Sequence, residues 1–232
     1  MTAIVSNLQV VRRAILQAEL ASKRAKGGIR LLAVSKTFPA SAVREAYAAG
    51  QREFGENYVQ EALDKIAVLA DLPIEWHFIG PIQSNKTRAI AENFAWVHGV
   101  DRLKIAQRLS EQRPPELPPL NVCLQVNVSG EASKSGVAPQ DVVSLAREVS
   151  RLPHLRLRGL MAIPAPADDE VAQRKPFACL RELLQLIQGQ GISLDTLSMG
   201  MSHDFVAAIK EGATIIRVGT AIFGERDYRE NK

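Results

Sequence analysis

The sequence predicts a single (β/α)8 barrel of the TIM type. Eight short strand-like runs alternate with amphipathic, helix-like segments from residue 29 almost to the C-terminus. Several of those runs are near-continuous apolar stretches, as parallel strands covered on both faces require. The first run leads into Val34-Ser35-Lys36-Thr37, without the glycine fingerprint that a doubly wound dinucleotide fold would usually place there. The doubly wound sheet is therefore the runner-up.

In chain order, an N-terminal helix comes first, with Ile4, Leu8, Val11 and Ile15 on one face; residues 1–28 are expected to pack on a barrel formed by 29–232, one domain overall. The strands are expected at Ile29 to Ser35, Gln51 to Phe54, Glu75 to Ile79, Ala95 to His98, Leu120 to Val128, Leu155 to Ile163, Asp195 to Ser198 and Thr214 to Val218. Between them the helical period recurs, as in Val59, Leu63, Ile66 and Ala70, or Phe177, Leu180, Leu184 and Ile187. Gly50 and Gly212 stand where a left-handed helix C-cap is wanted, and Asp101 and Pro139 where helices open. The Pro-rich stretch from Arg113 to Pro119 reads as a loop on the N-terminal side of the fifth strand rather than a linker.

Composition narrows the function. With 232 residues, 46% hydrophobic and 23% charged, the chain can bury a large core and is neither disordered nor a repeat rod. No run approaches the roughly 18 apolar residues of a membrane span. The N-terminus lacks the pattern of a secretory signal, and Cys123 and Cys179 are too far apart in sequence to suggest a disulfide framework. A cytoplasmic protein is expected. The net charge of +4 is interspersed and only 5% of residues are aromatic, which argues against a nucleic-acid binder and suits an anionic small molecule.

Barrels of this class carry their working residues at the C-terminal ends of the strands. Lys36 follows an apolar strand, so its amine is expected to be partly desolvated, which favours the neutral form that attacks a carbonyl. The ordinary alternative is a strand-capping lysine that snorkels to solvent. Ser198-Met199-Gly200-Met201-Ser202 follows the seventh strand and Gly219-Thr220 the eighth, the two loops that form phosphate sites in such barrels. Ser202 and Thr220 add hydroxyls, and Ser202 is expected to open a helix from Asp204 to Lys210 whose N-terminus favours an anion. If not, the glycines only make turns. Arg217 lies in an apolar strand where a buried guanidinium needs a partner, either a structural ion pair or a cofactor ring nitrogen. Lysine–aldehyde chemistry, a phosphate cradle and a cation for a pyridine nitrogen together describe pyridoxal phosphate.

Longer motifs add a resemblance. Leu32 to Lys36, Phe54 to Glu61, Trp76 to Lys86, Val126-Asn127-Val128, Ser133-Lys134-Ser135-Gly136, Arg158 to Met161, Ser198 to Ser202 and Arg217 to Gly224 resemble the pyridoxal phosphate homeostasis proteins, the YggS/PROSC family, over residues 29 to 228. The resemblance implies a barrel like the N-terminal domain of alanine racemase. It implies that Lys36 holds pyridoxal 5'-phosphate as an internal aldimine, that Arg217 faces the pyridine nitrogen, that Ser202, Gly219 and Thr220 hold the phosphate, and that Asn57 lines the site. His77, near a strand end, is a further lining candidate or else a satisfied core histidine. His203 stands where an acidic or small residue is expected.

A cation beside the ring nitrogen opposes its protonation and weakens the ring as an electron sink. Alanine racemase, by the same resemblance, compensates with a second base, a tyrosine delivered with its second domain and partner subunit. Here Tyr47, Tyr58 and Tyr228 offer no obvious equivalent, and no second domain is expected after the barrel. The expected function is a monomeric carrier or buffer of pyridoxal phosphate acting in vitamin B6 and amino-acid homeostasis, with apo pyridoxal phosphate enzymes as acceptors. The alternative is a pyridoxal phosphate-dependent racemase or related enzyme; a cofactor-free Schiff-base aldolase would leave Arg217 without a role.

Overall fold

The computed structural model describes residues 2–130 and 135–225. Eight parallel strands, β1 (Arg30–Val34), β2 (Glu53–Glu56), β3 (Glu75–Phe78), β4 (Trp96–Val100), β5 (Leu120–Gln125), β6 (Leu155–Met161), β7 (Thr196–Ser198) and β8 (Ile215–Val218), close in sequence order into a barrel. Closure is made by β1 and β8, in register from Arg30 opposite Ile215 to Ala33 opposite Val218. An outer layer of helices covers the sheet: α2 (Ala40–Ala48), α3 (Val59–Val68), α4 (Thr87–Asn93), α5 (Leu103–Gln112), α6 (Val142–Val149), α7 (Glu170–Gly189), α8 (Phe205–Lys210) and α9 (Thr220–Phe223). The alternation read from the sequence is thus the (β/α)8 barrel it predicted.

The N-terminal helix α1 (Ala3–Ala21) buries Leu8, Val11, Ile15 and Ala18 and packs on α2, α8 and α9. Burying the three larger side chains is worth about 1.5–3 kcal/mol each. Polar ties hold both ends of the helix. Asn7 donates to the Ile222 carbonyl at 3.0 Å, and the buried Glu19 carboxylate accepts from the backbone N–H groups of Gly27 at 3.1 Å and Ile29 at 3.0 Å.

The expected helix ends are where the glycines put them. Gly50 follows α2 with φ +88° and Gly212 follows α8 with φ +99°, the left-handed conformation that other residues adopt at a cost. The α7 face of Phe177, Leu180, Leu184 and Ile187 is buried as its spacing predicts. On α3, Val59 and Ile66 of the expected stripe pack partly buried against the core, whereas the fully buried residues are Ala62 and Lys65 and Ala70 lies exposed beyond the helix end.

Strand ends differ from expectation where backbone chemistry intervenes. Both β5 and β6 stop short, at Gln125 and Met161. The Val126 N–H makes a last bond to the Met161 carbonyl, after which the chain pairs with Val137 instead, and Pro164 and Pro166 have no N–H to extend β6. β2 starts and ends two residues later than expected. Gln51 instead uses its side-chain amide to cap the carbonyls of Leu31 at 2.6 Å and Glu53 at 2.8 Å.

The Pro-rich stretch before β5 is a loop pinned by Arg113, which is buried and donates to the carbonyls of Ala91, Phe94 and Pro118 at 2.6–2.9 Å. Cys123 and Cys179 are free thiols. No described helix is long and apolar enough to cross a membrane. Ser133 and Lys134 of one motif, and Tyr228, lie outside the described residues.

Candidate functional site

At the C-terminal end of the barrel a cavity of about 200 Å3 is lined by Lys36, Asn57, Ser202, Arg217, Gly219 and Thr220, with apolar walls from Val34, Ile79, Ile163 and Met201 and with His203 at its rim. The topology explains the gathering. Lys36 stands two residues past β1, Asn57 one past β2, Ile163 two past β6, and Gly219 and Thr220 immediately past β8. Closing a parallel sheet brings all these ends to one face.

Arg217 points inward from β8 and is 3% exposed. Its Nη1 donates to Ser198 Oγ at 2.7 Å and its Nη2 to the Ala162 carbonyl at 2.9 Å. Burial pulls its pKa down to about 10, with Asp204 acting in the opposite direction, so it remains a cation at neutral pH. Two of the five N–H donors of a guanidinium are thereby engaged within the protein.

His77 is not part of the lining. It lies below the cavity, fully buried in the barrel interior, stacked on Trp96 with an interplanar angle of 2°. Its Nδ1 is 2.9 Å from His98 Nε2 and its Nε2 is 3.0 Å from Glu75 Oε1, while His98 Nδ1 is 2.7 Å from Ser198 Oγ. The carboxylate end fixes the direction of this row. The Glu75 carboxylate can only accept, so His77 Nε2–H donates to it; with both buried imidazoles neutral, His98 Nε2–H donates to His77 Nδ1 and the Ser198 hydroxyl to His98 Nδ1, its oxygen accepting from Arg217. Each imidazole is held neutral, in the tautomer protonated at Nε2. Burial pushes both pKa values down, that of His98 well below the usual histidine range with neighbouring His77 adding to the effect. His77 is therefore a satisfied core histidine, because its two ring nitrogens are consumed by His98 and Glu75.

The row ends in a charge-balanced cluster. Glu53, Glu75 and His77 converge closely enough to hold a metal ion. However, Arg30 ion-pairs with both carboxylates. The guanidinium already supplies the positive charge that a metal would bring.

The loops after β7 and β8 differ in detail from expectation. α8 begins at Phe205, so Ser202 lies three residues before it, and Asp204 turns back to accept from the Met201 N–H at 2.6 Å. α8 and α9 have six and four residues, which leaves the hydroxyls and the first backbone amides, rather than a long helix dipole, as the anion donors. Gly200 has φ +92°, and a Cβ there would lie 2.7 Å from the Ala208 Cβ. At Gly219 a Cβ would lie 3.1 Å from the Val34 carbonyl oxygen. A side chain at Gly200 would force its surroundings to shift, and one at Gly219 would make a tight contact with β1.

Pyridoxal phosphate fits this donor set. An amine (Lys36), a buried cation (Arg217), two hydroxyl-bearing residues (Ser202 and Thr220) and apolar walls line one cavity, the chemistry that its aldehyde, ring nitrogen, phosphate and ring would call for. Asn57 Oδ1 is buried with no hydrogen-bond partner among the described residues. Such an acceptor is costly unless something donates to it.

Ser198 and His98 were not singled out in the sequence. Their signal was the one that marked Arg217, a polar side chain inside a buried strand. Burial of every β4 residue from Trp96 to Val100 made His98 such a case.

Comparison with known proteins agrees with the geometry. The family model for the alanine racemase N-terminal domain matches residues 3–227. The pyridoxal phosphate homeostasis protein of Pseudomonas aeruginosa is 66% identical over 228 residues, 98% of either chain. That of Escherichia coli is 54% identical over 234 residues, 98% of this chain and 99% of the other. Among solved structures, PipY of Synechococcus elongatus with PLP bound superposes with a TM-score of 0.83 at 40% identity, covering 95% of this chain and 100% of that one. Alanine racemase of Corynebacterium glutamicum shares the fold, with a TM-score of 0.73 at 20% identity over 96% of this chain and 61% of the racemase. On this sequence likeness and this barrel, the chain belongs to the pyridoxal phosphate homeostasis protein family, built on the alanine racemase N-terminal domain.

Proposed function

We propose that the cavity binds pyridoxal 5'-phosphate with Lys36 as its covalent anchor. The protein then acts as a carrier or buffer in vitamin B6 and amino-acid homeostasis, with apo pyridoxal phosphate enzymes as acceptors. The observation that carries this reading is the convergence of Lys36, Arg217, Ser202, Gly219 and Thr220 on one cavity. The printed names of the relatives and the PLP bound to PipY support it.

When bound, the cofactor would supply an aldehyde, an electrophile suited to a neutral amine. Lys36 provides that amine. Ser202 and Thr220 donate hydroxyl hydrogen bonds to the phosphate, and Gly219 lets backbone approach it. Arg217 opposes a second positive charge on the ring nitrogen, which keeps the ring a poor electron sink.

Racemisation needs a second proton-transfer group. Tyr58 is 56% exposed and absent from the lining, and Tyr47 lies under the Arg52 guanidinium at 3.9 Å. Besides Lys36 and Arg217, the titratable side chain among the described lining residues is His203.

Exchange of the amino-acid α-hydrogen in deuterium oxide decides between carrier and catalyst. The loaded protein is expected to show none at an enzymatic rate, and to change how fast an apo pyridoxal phosphate enzyme regains activity. Exchange at about 1 per second or more, abolished by Lys36→Ala, would overturn the carrier reading and make His203 the base to test.

A further inference from the structure

Lys36 is flanked by backbone that a separate buried cluster holds. Lys65, on the buried face of α3 with a side chain 7% exposed, donates to the Ser35 carbonyl at 2.7 Å, to Glu56 Oε1 at 2.8 Å and to Glu61 Oε1 at 2.6 Å. Those contacts use all three donors of an ammonium. Glu56 Oε1 also accepts from Ser35 Oγ at 2.6 Å, and Glu61 Oε1 accepts from the Thr37 N–H at 2.6 Å. One cation and its two carboxylates therefore hold the residue before Lys36 and the residue after it.

The backbone between them is strained. The Phe38 N–H returns to the Ser35 carbonyl at 3.1 Å, closing a tight turn with Lys36 and Thr37 at its centre. Thr37 has φ +69°. That conformation at the third position of a turn favours glycine, and a β-branched residue holds it only where its surroundings over-determine the geometry. The acceptor of the Thr37 N–H is Glu61, which Lys65 itself fixes.

We propose that Lys65, Glu61 and Glu56 form a clamp that positions Lys36 for bond formation with the aldehyde, none of the three touching the ligand. This rests on the reading of Lys36 as the covalent anchor. The clamp acts on the attack rather than on the binding of the rest of the ligand, because the cavity lining contains none of its members.

Lys65→Met would leave the fully buried Glu56 without its cation, so the test uses Glu61, whose side chain is 31% exposed. Three quantities are compared in the full-length wild type, Glu61→Ala and Glu61→Gln: amide exchange at Thr37, the rate of borohydride-trapped adduct formation on Lys36 at saturating pyridoxal phosphate, and the affinity for 4-deoxypyridoxine 5'-phosphate, which lacks the aldehyde. In Glu61→Ala, Thr37 exchange is expected to rise at least about tenfold and adduct formation to slow about tenfold. Affinity for the deoxy analogue stays within about twofold. Glu61→Gln, which keeps an oxygen for Thr37, restores most of the rate.

An unchanged adduct rate in Glu61→Ala overturns the clamp, as does a parallel loss of deoxy-analogue affinity, which would mark general damage to the cavity. Wild-type protein that binds the analogue but forms no Lys36 adduct overturns the anchor reading instead, and with it the purpose assigned to the clamp.

Discussion

Ser202 and Thr220 offer hydroxyls to the same cavity as the Lys36 amine, and Gly219 adds backbone with no side chain in the way. Hydrogen bonds to a charged group are worth about 1.5–3 kcal/mol each. Ser202→Ala with Thr220→Val is therefore expected to weaken pyridoxal phosphate binding at least about tenfold while leaving pyridoxal nearly unchanged. Equal weakening of both ligands in a titration would show that these loops do not read the phosphate. At this scale the sequence was most informative where a residue type was unusual for its place: a lysine just past an apolar strand, an arginine inside one. His77 was less legible, because a strand-end histidine looks the same whether its nitrogens face a ligand or, as here, His98 and Glu75.

Secondary-structure elements act together through the row of Arg217, Ser198, His98, His77 and Glu75, which joins β8, β7, β4 and β3 across the barrel interior. Both imidazoles have pKa values depressed by burial. The unfolded chain binds protons at these histidines below about pH 6.5 while the folded chain does not, so their contribution is full above that pH and is lost as pH falls toward the folded values. The slope reaches about 1.4 kcal/mol per pH unit for each histidine. Urea unfolding between pH 8 and 5 should accordingly show a shallower pH dependence in His77→Gln/His98→Gln than in wild type; equal slopes would refute the neutral assignment.

The loop after β7 gives a second prediction at this scale. Gly200 combines a positive φ with a site where a Cβ would lie 2.7 Å from Ala208, so Gly200→Ala is expected to destabilise the fold by about 2 kcal/mol or more in chemical denaturation. The element order was legible because strand and helix periods alternate cleanly. The ends were less so: prolines, a bridge at Val126 and a side-chain cap from Gln51 decide where pairing stops, and none of these alters hydrophobic period. Lys65 shows the same limit on a helix, since a lysine buried by two carboxylates reads from sequence as a solvated position.

For the whole molecule, α1 and the barrel share one core. Leu8, Val11 and Ile15 sit against the outer helices, and burying them contributes on the order of 5–9 kcal/mol, as large as the net stability of an ordinary domain. The described chain is therefore expected to unfold in a single transition, with near- and far-ultraviolet circular dichroism coinciding, and deletion of residues 1–22 to leave no folded barrel. A separately melting N-terminal segment would contradict this.

Lys36 is the proposed anchor that the barrel presents to pyridoxal phosphate. The most direct test of that role is to load the purified protein with pyridoxal phosphate, reduce it with borohydride and map the product by peptide mass spectrometry. A Lys36 anchor predicts a visible absorption band lost on reduction and one phosphopyridoxyl group, on Lys36, absent from Lys36→Ala. The same band and a modified peptide of similar yield in Lys36→Ala would contradict it.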